Sequence, residues 1–258
     1  MIKAVFFDID GTLASFSTHR ISPVARKSIE TLRNRGIKVF IASGRSAFEL
    51  EVLEDIRFDG YIILNGSHCF TANGKDIYKC PIPKNNIKRL IEWLSNDSTP
   101  FLFVHDTGQF INRVNDKVKH ISELVEISVP TIMPAENALD KDILQLSGYF
   151  GEGEKDTLFT DVLTECEQTR WCPYFTDIIA KGNNKSNGIR HILEYYHLNP
   201  SETMAFGDGG NDIDMLQNVE IGIAMGNARE EVKAAADYVT DSVDNEGVYQ
   251  ALKHFGLI

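Results

Sequence analysis

The chain has 258 residues, 43% of them hydrophobic and 24% charged, enough apolar material for one large core or two modest ones. Its net charge of −11 at pH 7 excludes the basic face of a nucleic-acid binder, so any phosphate it holds must meet positive charge supplied locally. No apolar run approaches the roughly 18 to 20 residues that span a bilayer, and the first residues read as a strand rather than a secretion signal, so the expectation is a cytoplasmic protein without a membrane partner.

Lys3 to Ile9 is a continuous apolar and aromatic run, the pattern of a buried parallel strand. Ser22-Pro23 reads as an N-cap with proline in the first helical position; Val24, Ile29 and Leu32 follow, and Gly36 stops the helix. A strand over Ile37 to Ala42, a helix over Ser46 to Glu54 and a strand over Gly60 to Leu64 come next. Near Cys80 the texture changes. Pro81 and Pro83 interrupt the pattern, and short strand-like and helical runs mix as far as Ile179. Among them, Phe101 to His105 and Phe110 to Val114 form a hairpin through Asp106-Thr107-Gly108, and Asn115 to Leu124 reads as a helix.

From Lys185 strands and helices alternate again. Ile189, Ile192, Leu193 and Tyr196 mark one helix face, and strands are expected at Thr203 to Phe206, Glu220 to Met225 and Tyr238 to Thr240. Helices are expected at Ile213 to Asn218, Ala228 to Ala236 and Gly247 to Phe255. The alternation predicts a doubly wound, Rossmann-like parallel sheet with helices on both faces, built from residues 1–80 and 183–258, with residues 81–182 inserted as a second α/β domain. The four cysteines, Cys69, Cys80, Cys166 and Cys172, have no metal-binding spacing and read as small apolar fillers. The seven histidines include no pair suited to a metal.

Four short motifs stand at strand-to-helix junctions. Asp8-Ile9-Asp10-Gly11-Thr12 follows the first strand, and two-residue spacing puts both carboxylates on one side of an extended chain; a solvated Asp-Gly turn would look the same. Ser43-Gly44-Arg45 offers a hydroxyl and backbone N–H groups where a helix starts, as a plain N-cap would. Lys185, just before a helix, can supply a cation to a bound phosphate, with Lys181 as competitor and an ordinary surface lysine as the bland account. Gly207-Asp208-Gly209-Gly210-Asn211-Asp212 gathers polar side chains on one tight loop. Calcium-hand, dinucleotide and Walker patterns all fail there on spacing. Open α/β sheets bind ligands beyond the carboxyl ends of their strands, so the fold would bring all four into one crevice.

In order and content these motifs resemble those of the haloacid dehalogenase-like superfamily, in its Cof-type branch of phosphatases with a large C2-type cap, and within it the bacterial hexose-phosphate phosphatases. The resemblance implies that Asp8 is the nucleophile and Asp10 the general acid, then base, of a Mg²⁺-dependent phosphatase working through an aspartyl-phosphate. It assigns the metal to Asp8, the Asp10 backbone carbonyl and Asp208, with Asp212 acting mainly behind them to position metal-bound water or Lys185. Ser43, Gly44, Arg45, Lys185 and Asn211 would then serve the phosphate, and residues 81–182 would be an α/β cap whose hinges fall near Cys80-Pro81 and Ala180 to Gly182. The substrate would be a small phosphorylated metabolite, and the enzyme a monomer or weak homo-oligomer.

Charge counting gives the metal a physical reason. Asp8, Asp208 and Asp212 bring about −3, so a phosphate dianion would be repelled by on the order of 10 kcal/mol at an effective dielectric near 20. Lys185 alone offsets too little, whereas a divalent ion plus Lys185 brings protein and metal to about zero; oxygen ligands favour Mg²⁺. Asn65-Gly66, after the third strand, can contact substrate or be a simple turn. For His105, Arg113, Arg170 and Trp171 the surface or core reading outweighs a substrate role. Two other functions fit the same motifs: a phosphotransferase or phosphomutase acting on sugar phosphates, and a catalytically silent sugar-phosphate-binding protein. A silent binder has no need of both Asp8 and Asp10.

Overall fold

The strand Ala4–Phe7 (β1) is buried along its whole length because its residues alternate between two cores. Val5 and Phe7 face Ile29, Leu32, Val248 and Leu252, while Ala4 and Phe6 face Ile189, Ile192, Leu193 and Met215. Helices on each side of one strand are the physical content of a doubly wound sheet. The computed structural model describes residues 1–124, 128–170 and 173–258, so Trp171 and Cys172 lie outside the described residues.

In chain order, β1 is followed by α1 (Pro23–Asn34), β2 (Lys38–Ala42), β3 (Gly60–Ile63), β4 (His68–Thr71) and β5 (Asp76–Lys79). Next come α2 (Lys84–Leu94), β6 (Phe101–His105), β7 (Gly108–Ile111), α3 (Asp116–Leu124), β8 (Ile143–Gly148), β9 (Cys166–Thr169) and β10 (Thr176–Ala180). The last stretch holds α4 (Lys185–Tyr196), β11 (Thr203–Gly207), α5 (Ile213–Gln217), β12 (Ile221–Ala224), α6 (Glu230–Ala235), β13 (Tyr238–Val239) and α7 (Gly247–His254). The chain divides into two compact units, Met1–Lys79 with Asn183–Ile258, and Cys80–Gly182.

The first unit holds an eight-stranded sheet in the order β13-β12-β11-β1-β2-β3-β4-β5. From β13 to β3 every pairing is parallel; β4 and β5 add an antiparallel edge absent from the sequence-based expectation of a purely parallel sheet. The β5 strand is exposed at both ends and half-buried between, so it shows no alternation for a pattern to catch. Phe6 stacks on Phe40 at 4.9 Å and Phe7 on Phe206 at 5.1 Å between ring centroids. Each such buried ring contributes about 1.5–3 kcal/mol through removal from water. Ser22 caps α1 through the Ala25 N–H at 3.0 Å, with Pro23 in the first turn, so that helix starts where its sequence says.

The segment after β2 departs from the expected α-helix: Ala47–Leu53 is a 3-10 helix. The Arg45 guanidinium takes the Glu49 carbonyl at 2.8 Å, which competes with the regular helical ladder.

The second unit is an antiparallel five-stranded sheet in the order β7-β6-β8-β10-β9. Ile87 and Leu90 of α2 pack with Phe101, Phe103, Phe110, Leu146 and Ile178 in its core. Arg170 donates to the carbonyls of Phe150, Phe175 and Gly151, and His105 is buried beside Thr107, which keeps both in the framework of this unit. Cys69 and Cys166 are buried, and burial pushes both thiols up to about 12. Among the described residues no helix is long and apolar enough to cross a membrane.

Candidate active site

Because β1, β2, β3 and β11 run parallel, their carboxyl ends share one edge of the sheet. Asp8 leaves β1 there, Ser43 leaves β2, Asn65 follows β3, and Asp208 follows β11. Lys185 begins α4, directly after its cap residue Asn184, whose side chain accepts the Asn187 N–H at 2.7 Å.

The centre is a buried charge cluster. Lys185 Nζ donates to Asp8 Oδ1 at 2.7 Å and to Asp212 Oδ1 at 2.6 Å. Lys185 is 1% exposed and Asp212 is fully enclosed. Burial works against the lysine's charge, but Asp212 and Asp8 outweigh it and hold Lys185 above the ordinary lysine value. Burial first, and then Asp212, Asp208 and Asp10 against the counter-pull of Lys185, push Asp8 well above the usual carboxylate range. Burial, followed by the Asp212 charge, raises Asp208 to about 7.

The second Asp212 oxygen accepts the N–H groups of Asp208 at 3.0 Å and Gly209 at 2.8 Å, so this one carboxylate shapes its own loop while it holds Lys185. Gly11 (φ +81°) turns tightly against Asp208: a Cβ at this glycine would lie 2.2 Å from Asp208 Oδ2. Thr12 Oγ1 donates to Asp208 Oδ1 at 3.3 Å.

Asp10 lies apart from the lysine cluster. Arg45 Nε and Nη2 reach its two carboxylate oxygens, each at 2.8 Å, and the third arm of the guanidinium goes to Glu49. The hydrogen bond to Asp10 raises the Arg45 pKa further. The Arg45 N–H also donates to Ser43 Oγ at 3.2 Å. Ser43 itself is 1% exposed.

Asn65 ties the remaining loops together. Its N–H donates to the Ser43 carbonyl at 3.1 Å, and its Oδ1 accepts from Asn211 Nδ2 at 2.9 Å. Gly44 lies against the same amide, 3.2 Å from a Cβ built on the glycine. The arrangement holds Leu64 and Asn65 at φ +51°, a left-handed conformation that costs a leucine on the order of 1 kcal/mol or more. Gly66 (φ +97°) follows, and a Cβ there would meet the Asn184 carbonyl at 2.1 Å, so this glycine lets β3 come up against the start of α4.

Asp8, Asp208 and Asp212 each offer a carboxylate oxygen within 4.8 Å of the others. Three carboxyl groups at this spacing, set against the one charge of Lys185, are hard oxygen donors that suit a hard divalent cation. The Asp10 carboxylate is not in that group. A separate cavity of about 720 Å³ lies by Ser15, Ser22, Asp244 and Glu246. Those two acids already accept the Ser15 and Ser22 hydroxyls at 2.6 Å, and none of Asp8, Lys185 or Asp208 lines that cavity, so the chemistry belongs to the acid cluster.

Thr12 and Asn227, both in contact with Asp208, carry no weight in a reading of the sequence. Thr12 could have been found from its place in the first motif, whereas nothing around Asn227 marks it.

A family model described as haloacid dehalogenase-like hydrolase matches residues 5–252. The chain is 35% identical to Bacillus subtilis YkrA over 260 residues, which cover 99% of this chain and 98% of that one. It is 30% identical to the Bacillus subtilis 5-amino-6-(5-phospho-D-ribitylamino)uracil phosphatase YcsE, over 99% and 96% of the two chains. Among solved structures, the subclass IIB sugar phosphatase BT4131 superposes with a TM-score of 0.91 at 40% identity, over 99% of this chain and all of that one.

Proposed function

The chain belongs to the haloacid dehalogenase-like hydrolases and is a phosphomonoester hydrolase, and from that premise we propose a Mg²⁺-dependent phosphatase that frees phosphate from small cytoplasmic metabolites, hexose phosphates foremost, through a phosphorylated Asp8. One observation carries the reading: the buried Lys185 and two carboxylates far along the chain, Asp208 and Asp212, converge on Asp8 at the end of the central strand. The likeness to a sugar phosphatase supports a sugar phosphate as substrate.

In this mechanism an Asp8 carboxylate oxygen attacks phosphorus, the ester P–O bond breaks, and Asp10 gives its proton to the departing sugar oxygen. Asp10 then takes a proton from water, which attacks the aspartyl-phosphate and releases inorganic phosphate with Asp8 restored. Both Asp10 oxygens bond to Arg45, so Asp10 must give up at least one of these bonds to reach the leaving oxygen. Lys185, the Ser43 hydroxyl, the Gly44 N–H and the Asn211 amide neutralise and orient the phosphoryl oxygens. Asp8, the Asp10 carbonyl and Asp208 would hold a Mg²⁺ ion, which would supply charge neutralisation to a crevice that otherwise repels a phosphate dianion. Asp212 keeps Lys185 and the Asp208 loop in place.

Phosphate release across a panel of sugar, nucleotide and cofactor phosphates, with and without Mg²⁺, tests the reading. Hexose phosphates are expected to lead, and activity is expected to vanish on chelation. Asp8→Asn should fold normally and lose at least about 10³-fold in kcat. Full activity in that variant would remove Asp8 from the role of nucleophile.

A further inference from the structure

Asn227, in the turn after β12, touches three segments far apart in the chain. Its Nδ2 donates to the Gly11 carbonyl at 2.9 Å and to Asp208 Oδ2 at 3.1 Å, and its Oδ1 accepts the Val243 N–H at 2.9 Å. A backbone N–H can only donate, so the Val243 contact fixes which way the amide faces: oxygen toward Val243, nitrogen toward Asp208. Both amide hydrogens are then in use, and none is left for a substrate.

From the side of Asp208 the same contacts form a clamp. Thr12 Oγ1 reaches Oδ1 at 3.3 Å, Asn227 Nδ2 reaches Oδ2, and the Gly11 turn stands close behind Oδ2. Each carboxylate oxygen therefore has its own donor, and the two donors set the plane of the group. Asp212 fixes the backbone of this loop through the N–H groups of Asp208 and Gly209, but none of the hydrogen bonds it makes reaches the Asp208 carboxylate.

We propose that Asn227 is a positioning residue for the cation site: it holds the Asp208 carboxylate in the orientation in which a free oxygen lone pair faces the ion. The inference rests on the reading that Asp208 binds the divalent cation. Partners one shell behind a metal ligand typically change metal affinity by 10- to 100-fold when removed, and the exposure of Asn227 places it at the lower end.

The test is Mg²⁺ binding by calorimetry on wild-type, Asn227→Ala and Asn227→Gln proteins without substrate, alongside their melting temperatures and steady-state kinetics. Asn227→Ala is expected to bind Mg²⁺ about 10-fold more weakly. Its kcat should recover at saturating Mg²⁺, and its KM for the phosphate ester should match wild type. Asn227→Gln, whose amide is displaced by one methylene, should fall between the two. A purely structural tie between loops would lower the melting temperature and leave Mg²⁺ affinity alone; that result, or a change confined to KM, overturns the proposal. If wild type itself fails to bind Mg²⁺, the metal reading falls and this inference with it; if wild type binds and Asn227→Ala binds equally well, this inference alone falls.

Discussion

Replacing Lys185 by methionine keeps the length of the side chain and removes the charge that, among the described residues, offsets both Asp8 and Asp212 through direct hydrogen bonds. With all three ionised, carboxylates within 4.8 Å of one another would repel by about 3.5 kcal/mol per pair at an effective dielectric near 20, or about 10 kcal/mol together, a repulsion that the raised pKa values of Asp8 and Asp208 relieve in part. The two contacts of Lys185, at 2.7 and 2.6 Å, return about 12 kcal/mol on the same scale. The cluster is thus close to balance, and deleting its cation tips it. Local relaxation recovers part of the imbalance, so the expected loss is the about 3–5 kcal/mol typical of breaking a buried ion pair from one side. For a chain of this size that is a fall of about 6–20 °C in melting temperature. Thermal unfolding in metal-free buffer, followed by circular dichroism, measures it. Added Mg²⁺ should restore part of the loss by supplying positive charge to the same carboxylates. Adding Asp212→Asn should cost less than its single-variant effect, because the two groups are coupled. A Lys185→Met protein that melts within about 2 °C of wild type without Mg²⁺ would refute the reasoning.

Gly11→Ala should cost at least about 1–2 kcal/mol, and should cut kcat, because its methyl group needs the space of Asp208 Oδ2 on a backbone at φ +81°; denaturant titration and kinetics check both. Arg45→Leu removes a bond that Asp10 must break but also the contact that orients its carboxyl group. With lost orientation outweighing the released bond, kcat is expected to fall by roughly 10- to 100-fold with little change in KM; a raised KM alone would place Arg45 on the substrate instead. In the second unit, hydrogen bonds from Lys155 and Thr99 outweigh burial and hold Asp97 below the usual carboxylate range. A depressed folded-state value stabilises above the unfolded pKa, and the benefit is lost as pH falls through the folded one. Asp97→Asn should therefore melt below wild type at pH 7, and the gap should narrow as pH falls below the ordinary aspartate value of about 3.9, as differential scanning calorimetry across that range can show.

The strands and helices around the site were readable because each apolar run stops where a polar motif begins. Phe6-Phe7 gives way to Asp8, Phe40-Ile41-Ala42 to Ser43, and Ala205-Phe206 to Gly207-Asp208. Burial on both faces produces the run, and a parallel sheet places every such ending on one edge, so sequence position alone groups Asp8, Ser43 and Asp208. Asp212 as a partner of Lys185 was one of the two roles the resemblance implied for it, whereas the bond from Lys185 to Asp8 was not readable, since it depends on how α4 meets β3 at Gly66.

Elsewhere the signal was lost for identifiable reasons. The β4–β5 edge lacks alternation, and the 3-10 helix Ala47–Leu53 owes its form to a contact from Arg45 that no periodicity encodes. Arg45 bears a motif position that suggests phosphate, and its guanidinium faces Asp10 and Glu49. Asn227 is a lone amide in a turn, visible only when Gly11, Asp208 and Val243 are seen around it.

The placement of β1 in the middle of its sheet also has a cost in time. One side of β1 is matched by β2 soon after synthesis begins, but its other neighbour, β11, starts only at Thr203. At about 5–20 residues per second, a ribosome needs roughly 10 to 30 s to travel from one to the other. Throughout that interval the nascent chain carries an apolar strand with open backbone donors and acceptors, the kind of edge that pairs with neighbours. The strands of the second unit, β6 to β10, all emerge inside the same window and pair only with one another, so that unit can close while β1 still waits. Chains cut short before Thr203 would keep the open edge permanently, which makes premature termination, more than any point substitution on the surface, the route by which this fold is expected to aggregate.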